Sequence, residues 1–322
     1  MRSPVYDGVV SPIAGGKPEW RSTAKTVHIR AFCLFTLSAL ILAPSAFVAG
    51  AQAAPGLVHG LWVWKSSTVL GAPRGAEKLR DFCKSEGVNE IYISYSANST
   101  AAEENEFVQA IGLLHRANIH VEALLSSADA DEPGMHREKL LDLARAVVAF
   151  NRKHANNRFD GIHLDLEPQQ RPENKGAGNL KFLPGLTDAL RAVRSIAEPA
   201  GLKVNADIQN KLLKGDRHQR KMLLASVPRI TLMMYELSSP NDGESVEQKA
   251  AKAKSNSRKY LDMAYEGLND PGLAKMAIGL RTPDYSALLP QMLKELDEAN
   301  RANPHYLGSA RHSYNNTLEA AH

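Results

Sequence analysis

From residue 57 onward, short β-prone apolar runs alternate with longer stretches in which apolar residues recur every three or four positions. Residues 57–64 (LVHGLWVW) read as a strand, and 74–86 as a helix with Leu79, Phe82 and Cys83 on one side. The same pair of patterns then repeats. Strands are predicted at 90–96, 119–126, 160–167, 202–209, 229–236, 275–282 and 305–314. Helices are predicted at 104–118, 136–154, 180–200, from 210 through 223, 246–267 and 287–303. Eight strands with a helix between each pair, in roughly 250 residues, is the arithmetic of a (β/α)8 TIM barrel in one domain. Eight residues follow Tyr314, so the last helix is expected to be short or missing. A doubly wound open sheet is the alternative, but no G-x-G-x-x-G turn and no P-loop accompanies the pattern.

The first 54 residues depart from this rhythm. Arg2, Lys17, Arg21, Lys25 and Arg30 precede an apolar run at 31–48, and the small residues AGAQAAPG follow it. A basic start, an apolar centre and Ala51-Gln52-Ala53 read as a secretory signal peptide, with cleavage near Ala53/Ala54. The expected organisation is a leader over 1–54 and a barrel domain over 55–322. The expected location is secreted or periplasmic, without stable membrane association once the leader is removed.

Charge and cysteine content narrow the classes. The 322 residues carry 39 Lys+Arg against 35 Asp+Glu, a net charge of +4. Five of those bases and two of the acids lie in the leader, which leaves +1 for the remainder. That balance offers no basic surface for nucleic acid. Two cysteines exclude a disulfide scaffold and any multi-cysteine metal centre. A monomer is expected, and no cofactor is called for.

Barrel strands alternate between outer helices and interior. In Asp160-Gly161-Ile162-His163-Leu164-Asp165-Leu166-Glu167, the three aliphatic residues must face the helices, so His163, Asp165 and Glu167 face inward, stacked toward the carboxyl end where barrel active sites lie. The fifth strand sends Lys203, Asn205, Asp207 and Gln209 the same way. The third sends His120, Glu122, Leu124 and Ser126, and the seventh Gly279 and Arg281. Burying carboxylates and an imidazole is costly unless they are paired or used. Trp62 and Trp64 share one face of the first strand, either as a sugar-stacking floor or as core. Tyr92, Ser94 and Ser96 on the second strand could line the site, and Tyr95 could equally do so.

The fourth strand resembles the D-G-x-D-x-D-x-E signature of glycoside hydrolase family 18, the chitinase-like barrels. Asp160, Gly161, Asp165 and Glu167 match it, and His163 stands where the pattern has an Asp. Met233-Met234-Tyr235-Glu236 is similar to that family's M-x-Y-D, with Glu for Asp. The resemblance implies that Glu167 protonates the leaving glycosidic oxygen. It also implies that the substrate's 2-acetamido group is the nucleophile, that Asp165 orients that group and that Tyr235 hydrogen-bonds it; such enzymes depart from the two-carboxylate scheme. Asp160 falls within the motif and is counted with Glu167, Asp165 and Tyr235 in the catalytic set, where it is expected to shape the start of the strand. The family's bulky aromatic at the end of the eighth strand has no counterpart; Tyr306, Arg311, His312 and Tyr314 stand there.

The expected partner is a carbohydrate, perceived by Trp62, Trp64, Glu122, His163, Asp207, Gln209, Glu236 and Arg281 around the catalytic set. Three other readings compete. Inverting hydrolysis would pair Glu167 with Asp207 or Glu236 as base, at roughly 6.5–9.5 Å. A metal-dependent hydrolase would use His163, Asp165 and Glu167 as ligands. A catalytically dead barrel would bind sugar without turnover, His163 being the reason. A retaining enzyme of the two-glutamate type needs an acid at the end of the seventh strand, where Arg281 stands and Asp284 lies just beyond.

Overall fold

The computed structural model describes residues 56–175, 180–235, 245–281 and 288–316. Eight parallel strands close on themselves in chain order: β1 (Val58–Val63), β2 (Glu90–Ser94), β3 (His120–Ser127), β4 (Gly161–Leu166), β5 (Lys203–Gln209), β6 (Arg229–Met233), β7 (Lys275–Arg281) and β8 (Tyr306–His312). The last strand pairs with the first, Gly60 opposite Ala310, so no strand edge is left open. The helices are α1 (Ser66–Gly71), α2 (Gly75–Ser85), α3 (Ala101–Arg116), α4 (Met135–Lys153), α5 (Leu183–Ala197), α6 (Arg217–Leu224), α7 (Val246–Tyr265) and α8 (Leu289–Asn300). The chain is a single-domain (β/α)8 barrel. Among the described residues no helix is long and apolar enough to cross a membrane.

The predicted elements stand, with ends adjusted by a few residues. Helix α1 is additional. Six residues are too few to show a period, and Lys65 enters it in a left-handed conformation, φ 50°. A helical turn opens at 314–316 after β8, and the rest of the expected last helix lies outside the described residues. The leader over 1–54 lies outside them too.

Alternation along the strands sorts the core into two compartments. Outward residues such as Ile162, Leu164 and Leu166 pack with the helices in one continuous buried layer. Tyr95 belongs there, edge-on to Phe107, Phe150 and Phe159 at 5.4–6.0 Å between ring centroids. The inward tyrosine is therefore Tyr92. The interior holds a small separate apolar cluster of Trp62, Tyr92, Leu124 and Ala310, with Trp64 against it. Two glycines make room for its rings: a Cβ on Gly279 would stand 2.8 Å from Trp62 Cη2, and one on Gly60 would stand 2.5 Å from Tyr92 Oη. Barrel interiors are ordinarily filled by layers of branched aliphatics. Here charged and polar side chains, Glu90, Glu122, His163, Asn205, Asp207 and Arg229 among them, share the interior with that cluster.

Candidate active site

Those side chains form three levels along the barrel axis. At the lowest level, near the strand starts, the Arg229 guanidinium bridges two carboxylates. Its Nη1 donates to Glu90 Oε2 at 2.9 Å, and its Nη2 donates to Glu90 Oε1 and, at 3.1 Å, to Glu122 Oε1. Asn205 Nδ2 donates to the same Glu122 oxygen at 2.5 Å. Burial acts against ionisation of Glu122, but Arg229 and His163 hold its carboxyl below the usual range. Glu90 is raised, by burial first and then by the Glu122 charge.

The middle level is His163, fully buried. Its Nδ1 lies 3.0 Å from Glu122 Oε2 and its Nε2 lies 2.8 Å from Asp207 Oδ1. Tyr92 stacks on the imidazole at 3.7 Å, and Trp62 stands edge-on to it. The Trp62 indole donates to Asp207 Oδ2 at 2.9 Å, so both oxygens of Asp207 are engaged. Burial opposes a charged imidazole, yet Asp207 and Glu122 together push His163 up to about 9.

The upper level opens at the strand ends. Asp165 points inward from β4, and Glu167 follows where β4 gives way to the 3-10 turn Pro168–Gln170. Glu167 accepts from three glutamine amides: Gln209 at 2.7 Å, Gln169 at 3.2 Å, and Gln170. The Asp165 carboxyl is held well above its ordinary range, by burial first and then by the charges of Asp207 and Glu167. Tyr235 follows β6 and lies 5.1 Å from His312, ring to ring. Burial, then Asp207, Asp165 and Glu167, raise its hydroxyl well above the usual value. Half-buried Trp64 donates its indole N–H to His312 Nε2 at 2.9 Å. An indole only donates, so His312 accepts there and is neutral. Burial lowers its pKa to match, Arg281 lowers it further, and Asp207 opposes them.

The positions singled out from sequence thus divide by depth. Glu167, Asp165, Tyr235, Gln209, Arg281 and Trp64 lie around the upper level. Glu122, His163, Asp207 and Trp62, expected to touch substrate, are instead at most 3% exposed and bound to one another beneath it. Trp62 is therefore not a stacking floor. Asp160 lies at the opposite end of the barrel. It accepts from the Val121 N–H at 2.8 Å, with His115 at 2.9 Å, and ties the start of β4 to β3 and α3. It takes no part in the upper constellation. Glu236 and Asp284 lie outside the described residues. Of the four side chains noted near the end of β8, His312 faces the interior. Arg311 turns outward to Glu86 at 2.7 Å, Tyr306 meets Asp297, and Tyr314 packs on Phe82.

Two alternatives each lose one residue in this arrangement. Asp207 cannot serve as a water-activating base while one oxygen holds His163 and the other holds Trp62. His163 cannot ligate a metal through a ring nitrogen when both face carboxylates. Among the described residues, the three side chains grouped closely enough to hold an ion are Glu90, His120 and Glu122, and the Arg229 guanidinium already bridges that pair of carboxylates. Arg229 and Glu90 were not singled out from sequence. Their signal was present in the alternation: Arg229 shares a face with Thr231 and Met233, and Glu90 with Tyr92. Gln169 and Gln170 sit in a turn, where no period marks them.

No family model and no curated protein matches the sequence. Solved structures do match. A family 5 glycoside hydrolase (GH5_18) from Bifidobacterium longum, in complex with Manβ1-4GlcNAc, aligns at TM-score 0.57 with 10% identity, over 80% of this chain and 68% of that one. A family 18 chitinase from Pseudoalteromonas aurantia aligns at 0.51 with 12% identity, and a family 18 N-acetylglucosaminidase from Paenibacillus barengoltzii at 0.50 with 12%. Each covers 82% of this chain and 98% of its own. The chain shares the barrel fold of these glycoside hydrolases. At 10–12% identity the likeness extends to the fold alone.

Proposed function

We propose that the protein is an exported, monomeric glycoside hydrolase that acts on a polysaccharide containing N-acetylhexosamine, with Glu167 as general acid. The observation that carries this reading is the pairing of Asp165 and Glu167 at the carboxyl end of β4, with Tyr235 in the same upper level beside His312. Residues two apart on a strand share a face, separated by roughly 6.5 Å. In the proposed reaction the Glu167 carboxyl gives its proton to the glycosidic oxygen as the bond to C1 breaks. The substrate's acetamido oxygen closes on C1. Water then attacks C1, returns a proton to Glu167 and reopens the ring. Asp165 and Tyr235 orient the acetamido group. The site assembles from this chain's own side chains, and Arg281 and Trp64 border it.

One observation favours a second reading, sugar binding without turnover. Three amide donors on Glu167 stabilise a carboxylate, whereas a general acid must carry a proton. Turnover therefore requires the entering glycan to displace at least one of these amides and to dry the site.

The deciding experiment compares the protein with its Glu167→Gln variant on N-acetylglucosamine oligomers, peptidoglycan fragments and exopolysaccharides, following reducing-end release. Release by the parent and at least a hundredfold less by the variant is expected, the range typical of a lost general acid. Binding without release by the parent would favour the second reading. Release that survives the substitution would overturn Glu167 as the acid.

A further inference from the structure

Asp165 occupies an awkward position for a carboxylate. Glu167 stands two residues along its own strand, and Asp207 comes from the adjoining β5, where Leu164 is registered opposite Ala206. Its Oδ1 is buried without a hydrogen-bond partner. Three neighbouring carboxylates, Asp207 buried and Asp165 and Glu167 half-buried, are costly to ionise together. Asp207 has no freedom to turn aside, because His163 and Trp62 hold its two oxygens at 2.8 and 2.9 Å. His163 is itself clamped between Asp207 and Glu122 and covered by Tyr92. Each ring nitrogen faces a carboxylate oxygen, so each donates, and the ring is an imidazolium.

We propose that His163 and Asp207 act as a positioning pair for Asp165: the buried imidazolium fixes Asp207 as a carboxylate beside Asp165, and Asp207 in turn makes Asp165 a neutral hydrogen-bond donor at the barrel mouth. Such a donor suits an acceptor oxygen of a bound molecule, a carbonyl or a ring or hydroxyl oxygen. It does not suit an N–H. The pair touches no substrate and acts through Asp165.

The surrounding charges agree. Glu122 from β3 balances the imidazolium from below, and Arg229 balances Glu122. From β6, Tyr235 adds no charge. From β7 and β8, Arg281 and the neutral His312 stand at the upper level and leave Asp207 as the largest charged influence on Asp165. Burial, then Asp207 and Glu167, raise Asp165 above its ordinary value, whereas His163 is raised by Asp207 and Glu122 against burial. The use of Asp165 toward a sugar rests on the function proposed above, while its proton and that of His163 do not.

The test therefore reads protons without substrate. In the unmodified protein with labelled histidine, nitrogen NMR should show His163 with both ring nitrogens protonated at pH 7.5. A neutral ring there would overturn the proposal. Infrared difference spectra at pH 7 should show a protonated-carboxyl band that Asp165→Asn abolishes. In Asp207→Asn the midpoint of that band should fall by about one pH unit or more, a tenfold change in proton affinity; an unmoved midpoint would overturn Asp207's part. In His163→Gln the midpoint of the Asp165 band should move, because Asp207 loses the partner that fixes it; an unmoved midpoint would overturn His163's part. Near-ultraviolet circular dichroism checks that each variant is folded, and the NMR arm stands if one is not. Intact signatures with no glycan turnover would overturn the proposed function and leave this inference standing.

Discussion

A protonated His163 at the centre of the barrel makes folding stability depend on pH in a defined window. Its ordinary pKa is 6.5, and in the folded protein Asp207 and Glu122 raise it, against burial, to about 9. Below pH 6.5 folded and unfolded chains both hold the proton, and the stabilisation is fully present. Between 6.5 and 9 the unfolded chain releases the proton and the folded chain keeps it, so stability falls as pH rises. Above 9 both have released it and the contribution is gone. At about 1.4 kcal/mol per pH unit over that window, the loss amounts to about 3 kcal/mol. The assay is urea unfolding at several pH values from 6 to 9.5, for the protein and for His163→Gln. Groups away from the barrel interior are common to both proteins, so the difference between the curves reports His163 together with the carboxylates that face it. The parent should lose stability more steeply than the variant across the window. Parallel curves between pH 6.5 and 9 would refute a buried imidazolium.

Three further substitutions probe the frame around the site. Arg229→Met should leave Glu90 and Glu122 buried without their guanidinium and cost about 3–5 kcal/mol in urea unfolding, with part of the loss recovered when Glu90→Gln is added. Gly279→Ala should drive a methyl against Trp62, cost about 1–3 kcal/mol and alter the fluorescence of that buried indole; an unchanged spectrum would mean the ring is not where the structure has it. Thr100→Ala removes one half of the capping box at the start of α3 and should cost about 1 kcal/mol, with no effect on the titration of His163.

The fold was legible because two periods, near 2 and near 3.6, alternate along the chain and count to eight. The inward faces of β3, β4 and β5 followed from the same alternation, and Asn205, Asp207 and Gln209 do point inward, to Glu122, His163 and Glu167. Depth was not legible. A strand reports which face a side chain takes, but not how far along the axis another strand's partner sits. That offset is set by the stagger of the closed barrel. Glu122 and Asp207 therefore read as site residues in sequence, and fold into the layer beneath it. Asp160 was misplaced for a related reason: a motif is linear, while its first and last residues stand at opposite ends of a strand. The glutamines on Glu167 come from a 3-10 turn too short to carry any period.

Depth also changes the meaning of the histidine in the fourth strand. An imidazole where the resembling motif has an aspartate looks like the loss of a carboxylate. In the folded barrel it is the residue that binds one, because Asp207 arrives from the next strand to meet it. Arg229, Glu122, His163 and Asp207 then alternate in sign up the axis, with Glu90 at the foot of the series. Breaking such a series at one member is costly, yet the whole series adds little over a well-packed aliphatic interior of the same volume. What aliphatic side chains could not do is present Asp165 and Glu167 at the mouth with different environments: one pressed against a fixed carboxylate, the other ringed by amide donors. Neighbouring carboxyl groups are useful chemistry when their surroundings differ. The charged interior supplies that difference from below, which is why substitutions at His163 should register in the proton held by Asp165 as well as in the fold.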